Sequence, residues 1–219
     1  MSDHSKQTVL RALDESGVVG IIRTDKSADL LDVAKALVEG GVRFVEVTMT
    51  VPDALDVVRQ ARQGLESEGV FLGVGTVLDA TTARLAILAG ASYIISPIIN
   101  QEVIATCLRY DVAVMPGAMT PTEILTAWEW GASVVKVFPA GLGGAQYFKD
   151  VMAPLPHIRM MPTGGVNTET VADFINAGAC AVGVGSALLS PDLLASKDYA
   201  TITSRARKFV EIVQQAKQK

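Results

Sequence analysis

Histidine and cysteine are nearly missing, with two of each in 219 residues, and that scarcity removes two chemistries at once. Zinc sites and histidine acid-base catalysis both draw on clusters of these side chains. His4 sits in a polar N-terminal stretch and His157 precedes the seventh expected strand, at the end of the fold away from the polar loops. Neither is placed for catalysis, and no metal is expected. Cys107 and Cys180 fall in an expected helix and an expected strand without short spacing, so no disulfide framework follows and a reducing, cytoplasmic compartment is the expectation. Aromatics are only 5%, and Trp128, Trp130, Met160 and Met161 read as packing residues rather than a cofactor box. No run approaches the roughly 18 apolar residues of a membrane span, and residues 1–7 lack the apolar core of a signal peptide. No charge block exists either. A net charge of -4 spread along the chain argues against nucleic acid, whose phosphates need a basic face, and leaves small molecules as partners. No dinucleotide fingerprint follows the first strand, and no cofactor is expected.

What is there is a 49% hydrophobic chain in one unbroken pattern, long enough to bury a sizeable core as a single domain. Apolar runs alternate with amphipathic segments in eight units. The strands fall near 18–23, 43–48, 71–76, 93–97, 112–116, 134–138, 158–162 and 181–185. Helices follow near 28–38, 52–62, 80–88, 101–110, 121–130, 145–152 and 168–176, with a last one inside 199–217. Pro52 and Pro121 suit first turns, and Asn167 suits a cap with Glu169 after it. Gly41, Gly90, Gly131 and Gly178 each close a helix and open an even-numbered strand, a repeat of two units taken four times. That is the pattern of a (β/α)8 barrel, with the glycines as left-handed helix caps. The expected division is an N-terminal segment (1–16), a barrel core (17–190) and a C-terminal helical segment (191–219).

The run Val134-Val135-Lys136-Val137-Phe138 buries one lysine, which costs several kcal/mol of hydration unless the amine is paired or neutral. The repeat puts Glu46, Ile95, Lys136 and Gly183 at equivalent positions, hence in one interior layer of a barrel, a carboxylate facing an amine. Such a pair serves either as a buried ion pair or as acid-base and nucleophile. Arg23, Thr48, Thr76, Pro97 and Pro116-Gly117 stand at C-terminal strand ends, where barrels of this kind carry their sites. The glycine loops 162–167 and 183–186 match the usual phosphate position, or are simply tight turns. A desolvated lysine beside a carboxylate and an anion site is equipped for imine chemistry on a ketone.

These residues resemble the 2-keto-3-deoxy-6-phosphogluconate (KDPG) / 4-hydroxy-2-oxoglutarate (KHG) aldolases, a class I, Schiff-base family. The motifs are Glu46-Val47-Thr48, Gly73-Val74-Gly75-Thr76-Val77, Ile95-Ser96-Pro97, Met115-Pro116-Gly117, Val135-Lys136-Val137-Phe138-Pro139-Ala140, Pro162-Thr163-Gly164-Gly165-Val166 and Gly185-Ser186-Ala187-Leu188. The resemblance implies that Lys136 forms the imine with pyruvate and that Glu46 shuttles protons. It implies substrate contacts from Thr48, Thr76, Pro97, Phe138 and Thr163, and phosphate binding by Gly164, Gly165, Gly185 and Ser186. It also implies a homotrimer and, as substrate halves, a keto acid and an aldehyde phosphate. Some members carry an arginine four residues beyond the glutamate, where Thr50 stands here. Another branch ends its first strand in arginine, as Arg23 does, and that guanidinium is expected to hold the substrate carboxylate unless Asp25 occupies it. The alternatives are a galactonate-derived or unphosphorylated substrate, an isomerase or epimerase using Glu46 without an imine, and a non-catalytic sugar-phosphate-binding barrel.

Overall fold

The computed structural model describes residues 5–25, 29–65 and 69–218. His4 and Ala28, the latter expected to open the first barrel helix, lie outside them. The chain begins with α1 (Lys6–Ser16) and β1 (Val18–Ile22), then α2 (Leu30–Glu39), β2 (Phe44–Thr48), α3 (Ala54–Leu65), β3 (Phe71–Gly75) and α4 (Ala80–Ala89). It continues through β4 (Tyr93–Ile95), α5 (Gln101–Arg109), β5 (Ala113–Met115), β6 (Gly117–Ala118), α6 (Pro121–Glu129), β7 (Val135–Val137) and α7 (Gly144–Met152). Last come β8 (Met160–Pro162), α8 (Val171–Asn176), β9 (Val182–Val184), α9 (Pro191–Ser196) and α10 (Tyr199–Lys217). Among the described residues, no helix is long and apolar enough to cross a membrane.

Every strand pairing is parallel. The strands form two arcs, one of six in the order β5-β4-β3-β2-β1-β9 and one of three, β6-β7-β8. The arcs meet twice. At one joint the expected fifth strand is cut into β5 and β6 by Pro116, which has no N–H for a ladder; its carbonyl instead accepts the N–H of Lys136 at 2.9 Å. At the other, an isolated bridge pairs Thr163 with Gly183, and the Cys180 N–H donates to the Met160 carbonyl. Counting β5 and β6 as one stave gives the eight that the sequence repeat requires.

Side chains sort by strand alternation. Val45, Val47, Val135 and Val137 point outward into the helical shell, within the larger apolar cluster. Val19, Ile21, Phe44, Phe71, Ile95 and Met161 point inward. Gly41, Gly90, Gly131 and Gly178 all take positive φ after their helices, as the repeat implied. Local chemistry fixes the helix starts: Thr120 and Glu123 form a reciprocal capping box with Pro121 at the first turn of α6, and Asp79 caps α4 through the Thr82 N–H. Two expected starts move inward. Pro52 lies in the turn before α3, and Asn167 accepts the N–H groups of Glu169 and Thr170 in a turn that precedes α8.

Two helices are absent from the sequence reading. In α1, Ser5 caps the N-terminus and Gly17 the C-terminus, while Val9, Ala12 and Leu13 join the interior cluster and close the N-terminal end of the barrel. Helix α9 follows the last strand with Pro191 in its first turn.

Candidate active site

The open, C-terminal end of the barrel gathers the candidate residues. Lys136, central in β7, is flanked in register by Gly117 and Met161 and is 5% exposed; Glu46 on β2 is 1% exposed. Each acts on the other's proton affinity. Burial pushes the Glu46 carboxyl up, against the pull of Lys136 and Arg23. Burial also pushes the Lys136 ammonium down, opposed by Glu46 and reinforced by Arg23. Both groups move toward their uncharged forms, an amine able to attack and an acid able to donate. Ile95 is fully buried in the same interior, and a side chain at Gly183 would collide with Thr163, so glycine there keeps the hydroxyl in place.

The carboxylate of Glu46 occupies space that β3 concedes. A Cβ at Gly75 would overlap Oε1 of Glu46, so any side chain there would push the carboxylate out of its place. Its second oxygen, Oε2, makes no hydrogen bond, and neither does Oγ1 of Thr163, which is 5% exposed. Two buried, unpartnered oxygens thus face the same interior as the lysine. Phe138, half-buried, places its ring centroid 5.0 Å from Nζ of Lys136 and screens the amine from water.

The rim completes the set. Thr76, just past β3, holds φ of 59°, a left-handed conformation that a β-branched residue adopts only at a cost in strain. Pro97, past β4, is half-buried, and its backbone lies against Gly117, where a side chain would clash. Arg23, just past β1, is exposed and lines a cavity of about 510 Å³ with Thr50, Leu30 and Leu194. Among the described residues no ion pair holds it, so Asp25 does not claim its guanidinium. Neither Lys136 nor Glu46 lines that cavity. Its link to the site is Arg23, whose charge reaches both Glu46 and Lys136.

Thr48 does not join them. It is fully buried, and its hydroxyl donates to the Ile22 carbonyl at 3.3 Å and lies 2.8 Å from Thr50 Oγ1, stapling the ends of β1 and β2. Its place at a C-terminal strand end pointed to the site and could not show that its hydroxyl was taken.

The glycine loops are neighbours because the Thr163–Gly183 bridge brings their strands together. Gly141 donates its N–H to the Gly164 carbonyl at 2.7 Å, and a side chain on Gly165 would collide with Gly141. Close packing therefore accounts for Gly165 by itself. A Cβ at Gly185 would meet nothing nearer than Ile21 at 4.0 Å, and Ser186 is exposed. The N–H groups of Gly165, Ser186 and Ala187 donate to no acceptor among the described residues, leaving three free donors in the two neighbouring loops.

Gly73, Gly75 and Tyr93 bear on the site although no motif or strand-end position assigns them a role. Two glycines at alternate, inward positions of one strand were the available signal, since such a strand makes room for its neighbours.

Comparison with known proteins converges on one family. The family model "Aldolase: KDPG and KHG aldolase" matches residues 9–205. The 2-dehydro-3-deoxy-phosphogluconate aldolase of Treponema pallidum is 34% identical, over 94% of this chain and 98% of its own. A solved native KDPGal structure superposes with a TM-score of 0.85 at 30% identity, covering 92% of this chain and 96% of that one. The KDPG aldolase from Legionella pneumophila, solved with pyruvate captured at low pH as a covalent carbinolamine, superposes with a TM-score of 0.84 at 24% identity, covering 90% and 96%.

Proposed function

The chain belongs to the KDPG and KHG aldolase family, and from that premise we propose that it cleaves 2-keto-3-deoxy-6-phosphogluconate to pyruvate and D-glyceraldehyde 3-phosphate through an imine on Lys136. The observation that carries this reading is the buried pair in one barrel interior, Lys136 driven toward its neutral amine and Glu46 toward its neutral acid.

The steps follow from that pairing. Nζ of Lys136 attacks the C2 ketone, and a proton delivered by Glu46 lets the hydroxyl of the resulting carbinolamine leave as water, giving a protonated imine. Ionised Glu46 then takes the proton of the C4 hydroxyl. The C3–C4 bond breaks, its electron pair flows into the imine to form an enamine, and the aldehyde departs. Glu46 returns the proton to C3, and hydrolysis frees pyruvate and the amine. Phe138 and Pro97 wall the pyruvoyl end, Thr76 and Thr163 offer hydroxyls to it, and Gly164, Gly165, Gly185 and Ser186 receive the phosphate. Thr48 supports the strand ends instead of touching substrate.

Incubation with pyruvate and borohydride tests the whole reading. The expected result is a stable mass increase on the peptide containing Lys136. An unmodified protein that still binds the sugar phosphate would leave only a non-catalytic barrel or an isomerase.

Arg23 takes the substrate carboxylate in this reading, its planar fork suiting two oxygens at once. Arg23→Met keeps much of the stem and removes the fork. It is expected to lower kcat/KM by about 10²-fold for keto acid and for pyruvate exchange alike. Near-normal efficiency, with Thr76→Val impaired instead, would move the carboxylate to Thr76 and backbone N–H groups. Thr50 in place of the arginine seen in some members, together with Arg23, favours a second reading, the galactonate-derived epimer; the ratio of kcat/KM for the two keto acids decides between them.

The phosphate assignment has its own check. Ser186→Glu puts a carboxylate beside the free N–H donors and is expected to raise KM for the phosphorylated keto acid at least tenfold while pyruvate proton exchange continues. Equal losses in both would mean that the loops serve the fold.

The homotrimer belongs to this proposal, and exposed apolar side chains support it. Leu85 and Leu88 on α4, Leu108 and Tyr110 at the end of α5, and Leu125 and Trp130 on α6 and its end are exposed on three consecutive helices. An apolar face of this extent supports burial between copies, in keeping with the homotrimer that the family resemblance implies.

A further inference from the structure

Tyr93 is a residue that the reaction outlined above does not use and that the barrel interior does not explain. Its ring packs at 5.5 Å from the Phe44 ring, and the side chain is fully buried. Its hydroxyl makes no hydrogen bond. Phenylalanine would fill the same space without sequestering a polar group from water, so the hydroxyl needs a reason.

The register supplies one. Glu46 on β2 is aligned with Gly73 on β3, and Gly73 with Tyr93 on β4, so the two side chains stand in one row with no side chain between them. A Cβ at Gly73 would overlap Cε2 and Cζ of Tyr93, which shows that the hydroxyl-bearing end of the ring crosses β3 toward β2. The Glu46 carboxylate leans over the next inward position of β3, Gly75. The Gly-Val-Gly run of β3 is thus a double recess, one half filled by the phenol ring and the other by the carboxylate. Both Oη of Tyr93 and Oε2 of Glu46 are buried there without partners.

We propose that Tyr93 is a positioning residue for Glu46, its hydroxyl donating from beneath to the carboxylate through one bridging water. The proposal deepens the aldolase reading and rests on Glu46 being the group that moves the proton. Burial and the nearby carboxylate both raise the proton affinity of the phenol, so it stays a neutral donor. The charged and titratable groups facing Glu46 are Lys136 from β7, Arg23 beyond β1 and Tyr93 from β4, while β3 presents only glycines at the aligned inward positions. A donor to the carboxylate favours its ionised form and counters the effect of burial.

Tyr93→Phe in the full chain removes the hydroxyl and keeps the ring. Two readouts apply: a carbon-13 titration of the Glu46 carboxyl in the free protein, and the pH dependence of solvent-proton exchange at C3 of pyruvate. The expected result is an upward move of the Glu46 midpoint and of the acid limb of exchange by about half to one pH unit, with kcat reduced about three- to tenfold and KM unchanged. Superimposable titrations and profiles for parent and Tyr93→Phe would overturn the proposal and make the hydroxyl a packing remnant. Glu46→Gln is measured in parallel. If it loses exchange while Tyr93→Phe changes nothing, only the role of Tyr93 fails; if it keeps exchange, the assignment of Glu46 fails and the proposal falls with it.

Discussion

Replacing Lys136 with methionine is expected to lower kcat/KM for cleavage by about four to six orders of magnitude, the scale on which loss of a covalent nucleophile is measured. The mass increase with pyruvate and borohydride should vanish with it. Methionine keeps the length and the packing against Phe138 but supplies no amine to form an imine, so the whole loss belongs to the covalent route. The parent should also form the adduct at neutral pH, well below the value of about 10.4 at which an ordinary lysine releases its proton. The reason is burial, which lowers the proton affinity of Lys136. The same shift has a thermodynamic sign. An amine that holds fewer protons folded than unfolded costs the native state most below its folded pKa, and the cost fades as pH rises past the unfolded value. Lys136→Met should therefore gain stability relative to the parent as pH falls through that window, which urea melts at several pH values measure. A variant that is inactive but less stable throughout would point to lost structure rather than lost chemistry.

Glu46→Gln is the second large effect, an expected drop in kcat of about 10²- to 10⁴-fold, the usual worth of a positioned acid or base. Glutamine fits the recess over Gly75 and can still donate a hydrogen bond, but it cannot give up and recover a proton. Adduct formation should become slow without being abolished, because the nucleophile remains, while C3 proton exchange should stop. Single-turnover trapping against steady-state cleavage separates the two. For stability the sign is opposite to that of Lys136. A carboxyl whose folded pKa is raised costs nothing below its unfolded pKa and a growing amount as pH rises toward its folded one. Removing it should leave the variant at least as stable as the parent at neutral pH, and melting no lower than the parent's there would show that the lost activity is chemical.

Much of this was legible in the chain because the relevant signals are periodic or local. The eightfold alternation, the four capping glycines and the resulting placement of Glu46 and Lys136 in one interior follow from spacing alone, and the structure has them as expected. Helix α1 was missed because the N-terminal stretch was read for what it lacked. Its cap Ser5, its apolar Val9 and Leu13 and its closing Gly17 carry the ordinary marks of an amphipathic helix. The fate of the Thr48 hydroxyl was not legible, since it depends on the carbonyl of Ile22 in another strand. Neither were the reasons for Gly73, Gly75 and Gly165, because each yields to a residue brought up by the fold: Tyr93, Glu46 and Gly141. Sequence reports what a glycine permits in its own backbone and is silent about who comes to stand beside it.

The barrel wall is a split ring. Glu46 is carried by the six-stranded arc and Lys136 by the three-stranded one, so no single ladder of hydrogen bonds braces the nucleophile against its proton partner. Their separation is set at the two joints, much as the jaws of a clamp are set at its pivots. At one, Pro116 interrupts the stave and Gly117 lies against the backbone of Pro97; at the other, Thr163 faces Gly183. Each joint is a glycine against a bulkier neighbour, with no room for even one added carbon. The alignment of the reacting pair is thereby held by mechanical tolerances at residues that take no proton and form no covalent bond to substrate.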